Sequence, residues 1–418
     1  MSSERSNEKM VEEWPDRLGC FSGVGKEAHL MERMTRREFL RAGVGLAAVA
    51  TGLEKIAGCA TNEPAKVTPL AYPPLPHKKI QPPQEGCFVG FFKESEADAG
   101  LKDSTFVPQG SVEIEVARKA KNVDEYIEML KKENFFDETR KYPVDKEMTY
   151  IEKGLNAKPF TFVLLDAKLY FEFPVAESTA VAKRDILPFV YGHPGPYDSP
   201  TPIPGFGPKE IAQGQHDGYI AKFAQGATRF GKEYGGFFFT TYPEMNGKWF
   251  PWGMNSDVIS AWKHIWQVFE DQGANQYVTW VWEVYPHSVL PLSMVGNPES
   301  YYPGERYVDW IGFTGISVAG SRFSYGSLHS LIDKTYRQML KDHLQKPIML
   351  SSFARTNDTN QSKWLINAYN SIKNSFPGIK AVIYFDNTWR LTGDHTLNPK
   401  SWQTLRGIFK DPYWVMGK

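Results

Sequence analysis

From Cys87 onward, short apolar runs alternate with longer stretches in which apolar residues recur every three or four positions, the pattern of strand and helix pairs built around a parallel sheet. Eight runs read as strands: Phe88–Phe92, Thr161–Leu165, Ile186–Tyr191, Gly236–Thr241, Tyr277–Val284, Val308–Phe313, Pro347–Phe353 and Lys380–Phe385. Helices are expected at Val123–Lys132, around Glu177–Lys183, and at Ala212–Tyr234, Val258–Gln272, Leu328–Leu344, Ser362–Phe376 and Lys400–Lys410. In Val258–Gln272 the residues Ile259, Trp262, Ile265, Trp266 and Phe269 share one face, and Gly273 follows as a stop. The stretch from Pro286 to Arg306 reads mostly as loop. Residues 87–418 therefore read as one α/β domain, a (β/α)8 TIM barrel, in which chemistry sits at the carboxyl ends of the strands.

The first 86 residues follow a different pattern. Arg36-Arg37 precede Phe39-Leu40-Arg41, an uncharged run from Ala42 to Leu53, and then Ile56-Ala57-Gly58-Cys59. Twelve uncharged residues are too few to cross a bilayer as a helix. Residues 1–59 resemble a twin-arginine export signal that ends in a lipobox. The resemblance implies the twin-arginine export machinery as a partner, lipidation of Cys59, and a periplasmic or cell-surface protein whose contact with the membrane is that lipid. Glu54 and Lys55 depart from a usual lipobox, so plain cleavage and retention as an uncleaved anchor stay open. Residues 60–86 hold seven prolines and read as a semi-rigid linker.

Composition narrows the possible partners. The chain has 48 Lys plus Arg against 48 Asp plus Glu, and residues 1–58 carry nine of each sign, so trimming the signal leaves it neutral. A neutral chain argues against a nucleic-acid partner. Cys20, Cys59 and Cys87 are too few for a disulfide framework or a cysteine-rich zinc site, and Cys87 reads as a small buried hydrophobe. Aromatic residues reach 14% of the chain, a share that needs a purpose. No HExxH, P-loop, GxSxG or strand-borne GxGxxG motif occurs from residue 87 on, so no metal or other cofactor is expected.

The fourth strand runs out as FFFTTYPEMNGKWFPWG, which places Glu244 just past it among aromatic residues. Such surroundings can raise a carboxyl pKa by desolvation, as a general acid requires near neutrality. Spacing alone also fits a loop Glu that caps an amide. The string PEMNGKWFPWG resembles the acid/base motif of glycoside hydrolase family 26, the β-mannanase family, whose fold is a (β/α)8 barrel. Further likeness lies in GQHDGYIAKFAQGATRFGKEYGG, YVTWVW, YYPGERYVDWIGFTGIS, KPIMLSSFA and IKAVIYFDNTWRL, across roughly residues 88–412. The resemblance implies that Glu244 is the general acid/base, that Asn246 neighbours it, and that Trp249 and Trp252 belong to a sugar-facing wall.

The departures from the family pattern bear on mechanism. Pro243 stands where a histidine is usual, Ser352 where the family has its nucleophile glutamate, and Ile316 where it has a supporting tyrosine. A neutral serine hydroxyl without a base is a weak nucleophile, so a different second carboxyl is needed. Glu283 after Trp282 and Asp386 after Phe385 are the candidate bases; an ion pair at the rim and a turn are their plainer readings. His193, Trp282, Tyr384 and Trp389 are candidates for contact with sugar. Two functions follow: an exported glycosidase acting on a β-linked, mannan-like polysaccharide, or a barrel that binds glycan without cleaving it.

The export reading makes one prediction. Replacing both Arg36 and Arg37 by Lys should trap the chain inside the cell, followed by fractionation and immunoblotting; undiminished export of the double variant would remove the twin-arginine reading.

Overall fold

The computed structural model describes residues 72, 74–75, 78–93, 109–133, 144–169, 172–196, 201–286, 293–317, 326–389 and 393–417. Arg36, Arg37 and Cys59 lie outside the described residues. All described residues belong to a compact unit that runs from Val67 to Lys418.

Eight parallel strands form a closed ring: β1 (Cys87–Phe92), β2 (Thr161–Lys168), β3 (Leu187–His193), β4 (Phe237–Thr240), β5 (Val278–Val284), β6 (Trp310–Ser317), β7 (Ile348–Arg355) and β8 (Ile379–Phe385). Closure is made by β1 on β8, with Phe88 opposite Ala381 and Phe92 opposite Phe385. All eight expected strands are present. Their ends shift by a few residues, and β2, β3, β6 and β7 extend further toward the carboxyl mouth than the apolar runs implied, because polar residues such as Lys168, His193 and Ser317 continue the ladder there. The fold is thus a (β/α)8 barrel.

Side chains alternate along each strand, so each strand supplies two environments. Phe88, Phe92, Val163, Phe189, Tyr191, Phe238, Val281, Trp310, Met349, Ala381 and Ile383 fill the barrel interior. The opposite faces meet the helices in a larger core that includes Trp280, Trp282, Phe353 and Tyr384.

Before β2 lie α1 (Gln109–Lys119), α2 (Val123–Lys132) and α3 (Val144–Leu155). Of these only α2 is anticipated by the pattern reading. Helix α3 buries Val144, Met148, Ile151 and Leu155, whose spacing is helical, yet Glu147 is buried among them and blurs the stripe. Helix α4 (Val175–Ala182) precedes β3, and α5 (Pro208–Ala212) and α6 (Asp217–Tyr234) follow it. The single helix expected over Ala212–Tyr234 is broken at Gly214, which adopts φ +76°. Helix α7 (Val258–Asp271) packs the predicted stripe inward and ends before Gly273 at φ +69°. Helices α8 (Leu328–Asp342), α9 (Gln361–Ser375) and α10 (Pro399–Ile408) complete the ring. A hairpin of β9 (Thr388–Trp389) and β10 (Gly393–Asp394) follows β8, and β11 (Trp414–Val415) adds to the start of β1.

The last part of the proline-rich stretch is fastened to the amino-terminal end of the barrel. Lys79 pairs with Asp309 at 2.6 Å, the Ile80 amide donates to Thr279 Oγ1 at 2.8 Å, and Trp310 Nε1 donates to the Ile80 carbonyl at 3.1 Å. Leu75 and Ile80 pack against the interior cluster from below. Residues 78–80 are therefore a strap fastened to the barrel, at the end of a stretch whose composition reads as a semi-rigid linker.

Asp309 also accepts the Trp280 amide at 2.9 Å, so its carboxylate ties strap, β5 and β6 together. The pair is about nine-tenths buried, with Lys79 at 10% and Asp309 at 11% side-chain exposure. Asp309→Ala strands a buried ammonium and should cost about 3 kcal/mol in urea unfolding. A midpoint equal to that of the native chain would mean that the apolar contacts of Leu75 and Ile80 suffice.

Candidate active site

The chain leaves β4 through Thr241-Tyr242-Pro243-Glu244, and both Tyr242 and Glu244 take φ +49°. Left-handed backbone at two non-glycine residues costs on the order of 1–2 kcal/mol each and persists only where the surroundings hold it. The turn is held from several sides. The Asn246 side chain donates to the carbonyls of Tyr285 at 2.9 Å and Gly296 at 3.0 Å and accepts the Tyr285 amide at 2.8 Å. Trp252 Nε1 donates to the Pro243 carbonyl at 2.8 Å, with its ring stacked on Phe250 at 4.9 Å.

Glu244 is consequently presented over the mouth of the barrel at 5% exposure. Trp249 Nε1 donates to its Oε2 at 2.7 Å, and the Thr314 hydroxyl on β6 donates to its Oε1. Reaching Glu244 requires the Trp249 ring to fold back over residue 247, where a Cβ would stand 2.3 Å from the indole; only glycine fits there. Burial lifts the Glu244 carboxyl from 4.5 to about 7, against the opposing pull of the hydrogen bonds from Thr314 and Trp249.

The bond from Thr314 passes from β6 to the end of β4, across the intervening strand β5. Glu283 projects into the barrel from β5, two residues on from the interior Val281, and is 1% exposed. It faces Gly312 in register, and the Ser351 hydroxyl of β7 lies 3.2 Å from where a Gly312 Cβ would be. Tyr191, Glu283 and Ser351 thus come from alternate strands as one layer of the barrel interior. Burial first and the negative charge of Glu244 second raise Glu283 to about 8, while the Tyr191 and Ser351 hydroxyls draw it down. Both carboxyls are buried, and the Glu244 charge is felt at Glu283.

Strand β7 bulges where Phe313 and Thr314 meet Leu350 and Ser352. Ser351 turns inward beneath the mouth, whereas Ser352 is half-buried and sits opposite Thr314 in register. Serine 352 thereby lies one strand away from the acid's own partner.

Other expected site residues are placed elsewhere. Asn246 is buried and spends its side chain on the two loops that frame Glu244. Trp252 is buried behind the Glu244 turn. Trp282 points outward from β5 and packs edge-on against Tyr302 at 4.9 Å, because it alternates with Glu283. Tyr384 also points outward, with its hydroxyl donating to the His395 carbonyl at 3.1 Å. These four do not line the mouth. Trp389 joins the β9–β10 ladder through its backbone, and its side chain lies outside the described residues.

Asp386 is at the mouth, on the strand opposite β4, where its carboxylate accepts the Leu397 amide at 2.6 Å and stands 3.8 Å from Lys93 Nζ. His193, at the end of β3, places Nδ1 2.5 Å from the Gly195 carbonyl and Nε2 3.3 Å from Lys168 Nζ. The carbonyl can only accept and the ammonium can only donate, so the imidazole is neutral with its proton on Nδ1. Lys168 in turn pairs with Glu113 of α1 at 3.1 Å, which ties the inserted helix to the strand ends. Thr314, Ser351, Lys168 and Lys93 escaped the pattern reading. Each sits at the carboxyl end of an apolar run, which was the available signal.

A closed (β/α)8 barrel with a desolvated carboxyl at its carboxyl mouth is an architecture of glycoside hydrolases. Residues 210–416, which take in β4 to β8 and the Glu244 turn, match Glycosyl hydrolase family 26. The chain belongs to that family. It is 31% identical over 200 residues to Endoglucanase H of Acetivibrio thermocellus, covering 44% of this chain and 21% of that protein. It is 27% identical over 179 residues to the mannan endo-1,4-beta-mannosidase A and B of Caldalkalibacillus mannanilyticus, covering 39% of this chain and 31% of that protein. The chain thus spans less than a third of the length of either relative. A Cellulomonas fimi endo-beta-1,4-mannanase double mutant superposes with a TM-score of 0.50 at 16% identity, covering 64% of this chain and 67% of that one, which concerns the fold alone.

The buried carboxyls predict a pH-dependent stability. In the folded protein Glu283 keeps its proton to about 8, whereas the unfolded chain releases it near 4.5, so stability contributed below 4.5 is lost as pH rises through about 8. Urea unfolding near pH 5 and near pH 8 should therefore show a smaller loss in Glu283→Gln than in the native chain. Equal losses in the two proteins would contradict the burial of an ionisable pair.

Proposed function

We propose that the protein is a glycosidase that cleaves O-glycosidic bonds of a β-linked, mannan-like polysaccharide, with Glu244 as the general acid. One observation carries the reading: Glu244 is a carboxyl held at the barrel mouth by neutral donors, with a pKa lifted to about 7. A group poised there holds a proton near neutrality and can still part with it. The relatives named for mannan and for glucan hydrolysis support the substrate class.

Glu283 is the second carboxyl of this proposal; burial and the Glu244 charge hold its proton to about 8, so it serves as a base only in the molecules that have lost that proton. Asp386 is the weaker candidate, engaged as it is with Lys93 and the Leu397 amide. Trp249, which is half-buried, is the aromatic residue best placed to meet a sugar bound over Glu244. For the rest of the chain we propose twin-arginine export and a lipid on Cys59, which would hold the barrel at a periplasmic or cell-surface location. Labelling with a radioactive fatty acid that disappears in Cys59→Ser would support the anchor; unchanged labelling would dismiss it.

A second reading, glycan binding without cleavage, is favoured by Ser352, because no carboxyl stands on β7 at the position where the family resemblance implies one. The two separate in one assay on β-mannan and mixed-linkage β-glucan, reading new reducing ends and affinity together. For the enzyme, Glu244→Gln should lower turnover by roughly 10²–10⁴-fold with affinity retained. Unaltered turnover in that variant would sink the assignment. No turnover by the native chain, retained affinity, and turnover gained in Ser352→Glu would establish the binding reading instead.

A further inference from the structure

We infer that Thr314 is the positioning residue of the general acid: its hydroxyl selects Oε1 of Glu244 as the oxygen that carries the transferable proton. The inference rests on Glu244 being the proton donor, and it adds which oxygen donates and what holds it there.

The two oxygens of Glu244 have partners of different chemistry. Trp249 approaches Oε2 with an indole N–H, which can donate but never accept. A proton on Oε2 would leave that N–H a neutral hydroxyl oxygen in place of a charged one as its acceptor, so protonation there weakens the 2.7 Å bond. The partner of Oε1 is a hydroxyl, which can donate to a carboxylate or rotate and accept from a carboxylic acid. Oε1 therefore keeps its hydrogen bond at full strength in both protonation states, and the proton is favoured there.

Burial makes the preference consequential. Thr314 is 3% exposed and Glu244 5%, so bulk water does not take over the role of either partner. Thr314 is fixed from behind by the β6 ladder, where it stands opposite Ser352. With a sugar bound, the Oε1 proton turns from Thr314 to the glycosidic oxygen. The Oε1–H bond breaks as an O–H bond forms on that oxygen, which keeps the electron pair of the cleaved C–O bond, while a water oxygen bonds to the anomeric carbon and gives its proton to the second carboxyl. Oε1 becomes anionic at that moment. The Thr314 hydroxyl, released from accepting, then turns to donate to it, and Trp249 continues to donate to Oε2. The anion produced by proton transfer is met by two charge-assisted hydrogen bonds without movement of the backbone.

The test follows the Trp249 indole N–H by ¹⁵N-resolved NMR against pH, with the signal assigned by its loss in Trp249→Phe. This reads the ionisation of Glu244 whether or not a substrate is known. Removing the Thr314 donor should shift the inflection upward by about one pH unit in Thr314→Val, and Thr314→Ser should restore it. The upper limb of the pH–kcat profile on β-mannan should move in the same direction, with KM little changed. A purely structural threonine would leave the inflection in place. If Thr314→Val fails to fold, Thr314→Ala, which only removes atoms, is read in the same way. An inflection that stays at the native pH in the folded variant, or one that persists in Glu244→Gln, overturns the inference. Native turnover in Glu244→Gln, by contrast, refutes the acid assignment itself while the indole titration still reports on Thr314.

Discussion

Closing eight parallel strands on one another leaves an interior wide enough for side chains and little else, and the position of every group at the mouth follows from how that interior is filled. Large apolar residues occupy most of it: Phe88, Phe189, Phe238, Trp310 and Met349 among them. Near the carboxyl end the filling becomes polar with Tyr191, Glu283 and Ser351, and Glu244 closes over the top from β4. Burying two carboxyl groups on such a floor is unfavourable for their charges, so the pair is shifted toward its protonated forms. The packing that stabilises the barrel is thus the same packing that raises the Glu244 and Glu283 carboxyls.

The direction of the Glu244 carboxyl is set by a strained turn. Tyr242 and Glu244 are left-handed, a conformation the turn does not reach unaided. Asn246 binds the turn to the segments around Tyr285 and Gly296, and Trp252 holds the Pro243 carbonyl from behind. Residues that seemed apt to touch sugar instead carry the framework that aims one carboxyl. Under the proposed glycosidase reading this division matters, because a misplacement of about an ångström in a catalytic group is costly to rate.

The aromatic excess finds most of its purpose in structure. Trp262 and Trp266 pack the inner face of α7, Trp280 and Trp282 the outer face of β5, and Trp310 the barrel interior under the strap. Trp249 differs by being half-buried with its indole on Glu244. A family relationship that covers the carboxyl-terminal half of the chain is consistent with this economy, since β4 to β8 hold Glu244, its partners and the bulge of β7.

Periodicity made the barrel legible: eight apolar runs, the stripe of α7 and its glycine stop are local properties, and burial rewards them wherever they occur. Glu244 was legible too, since its position just past β4 follows from one strand boundary. What remained hidden were relations between strands. The sequence could not say that Trp282 faces outward and Glu283 inward, because strand parity depends on a pleat anchored by neighbours. It could not separate Ser351 from Ser352, which a bulge divides. Nor could it connect Thr314 to Glu244, seventy residues away in the chain, for that hydrogen bond exists only once the ring has closed and drawn β6 across to the end of β4.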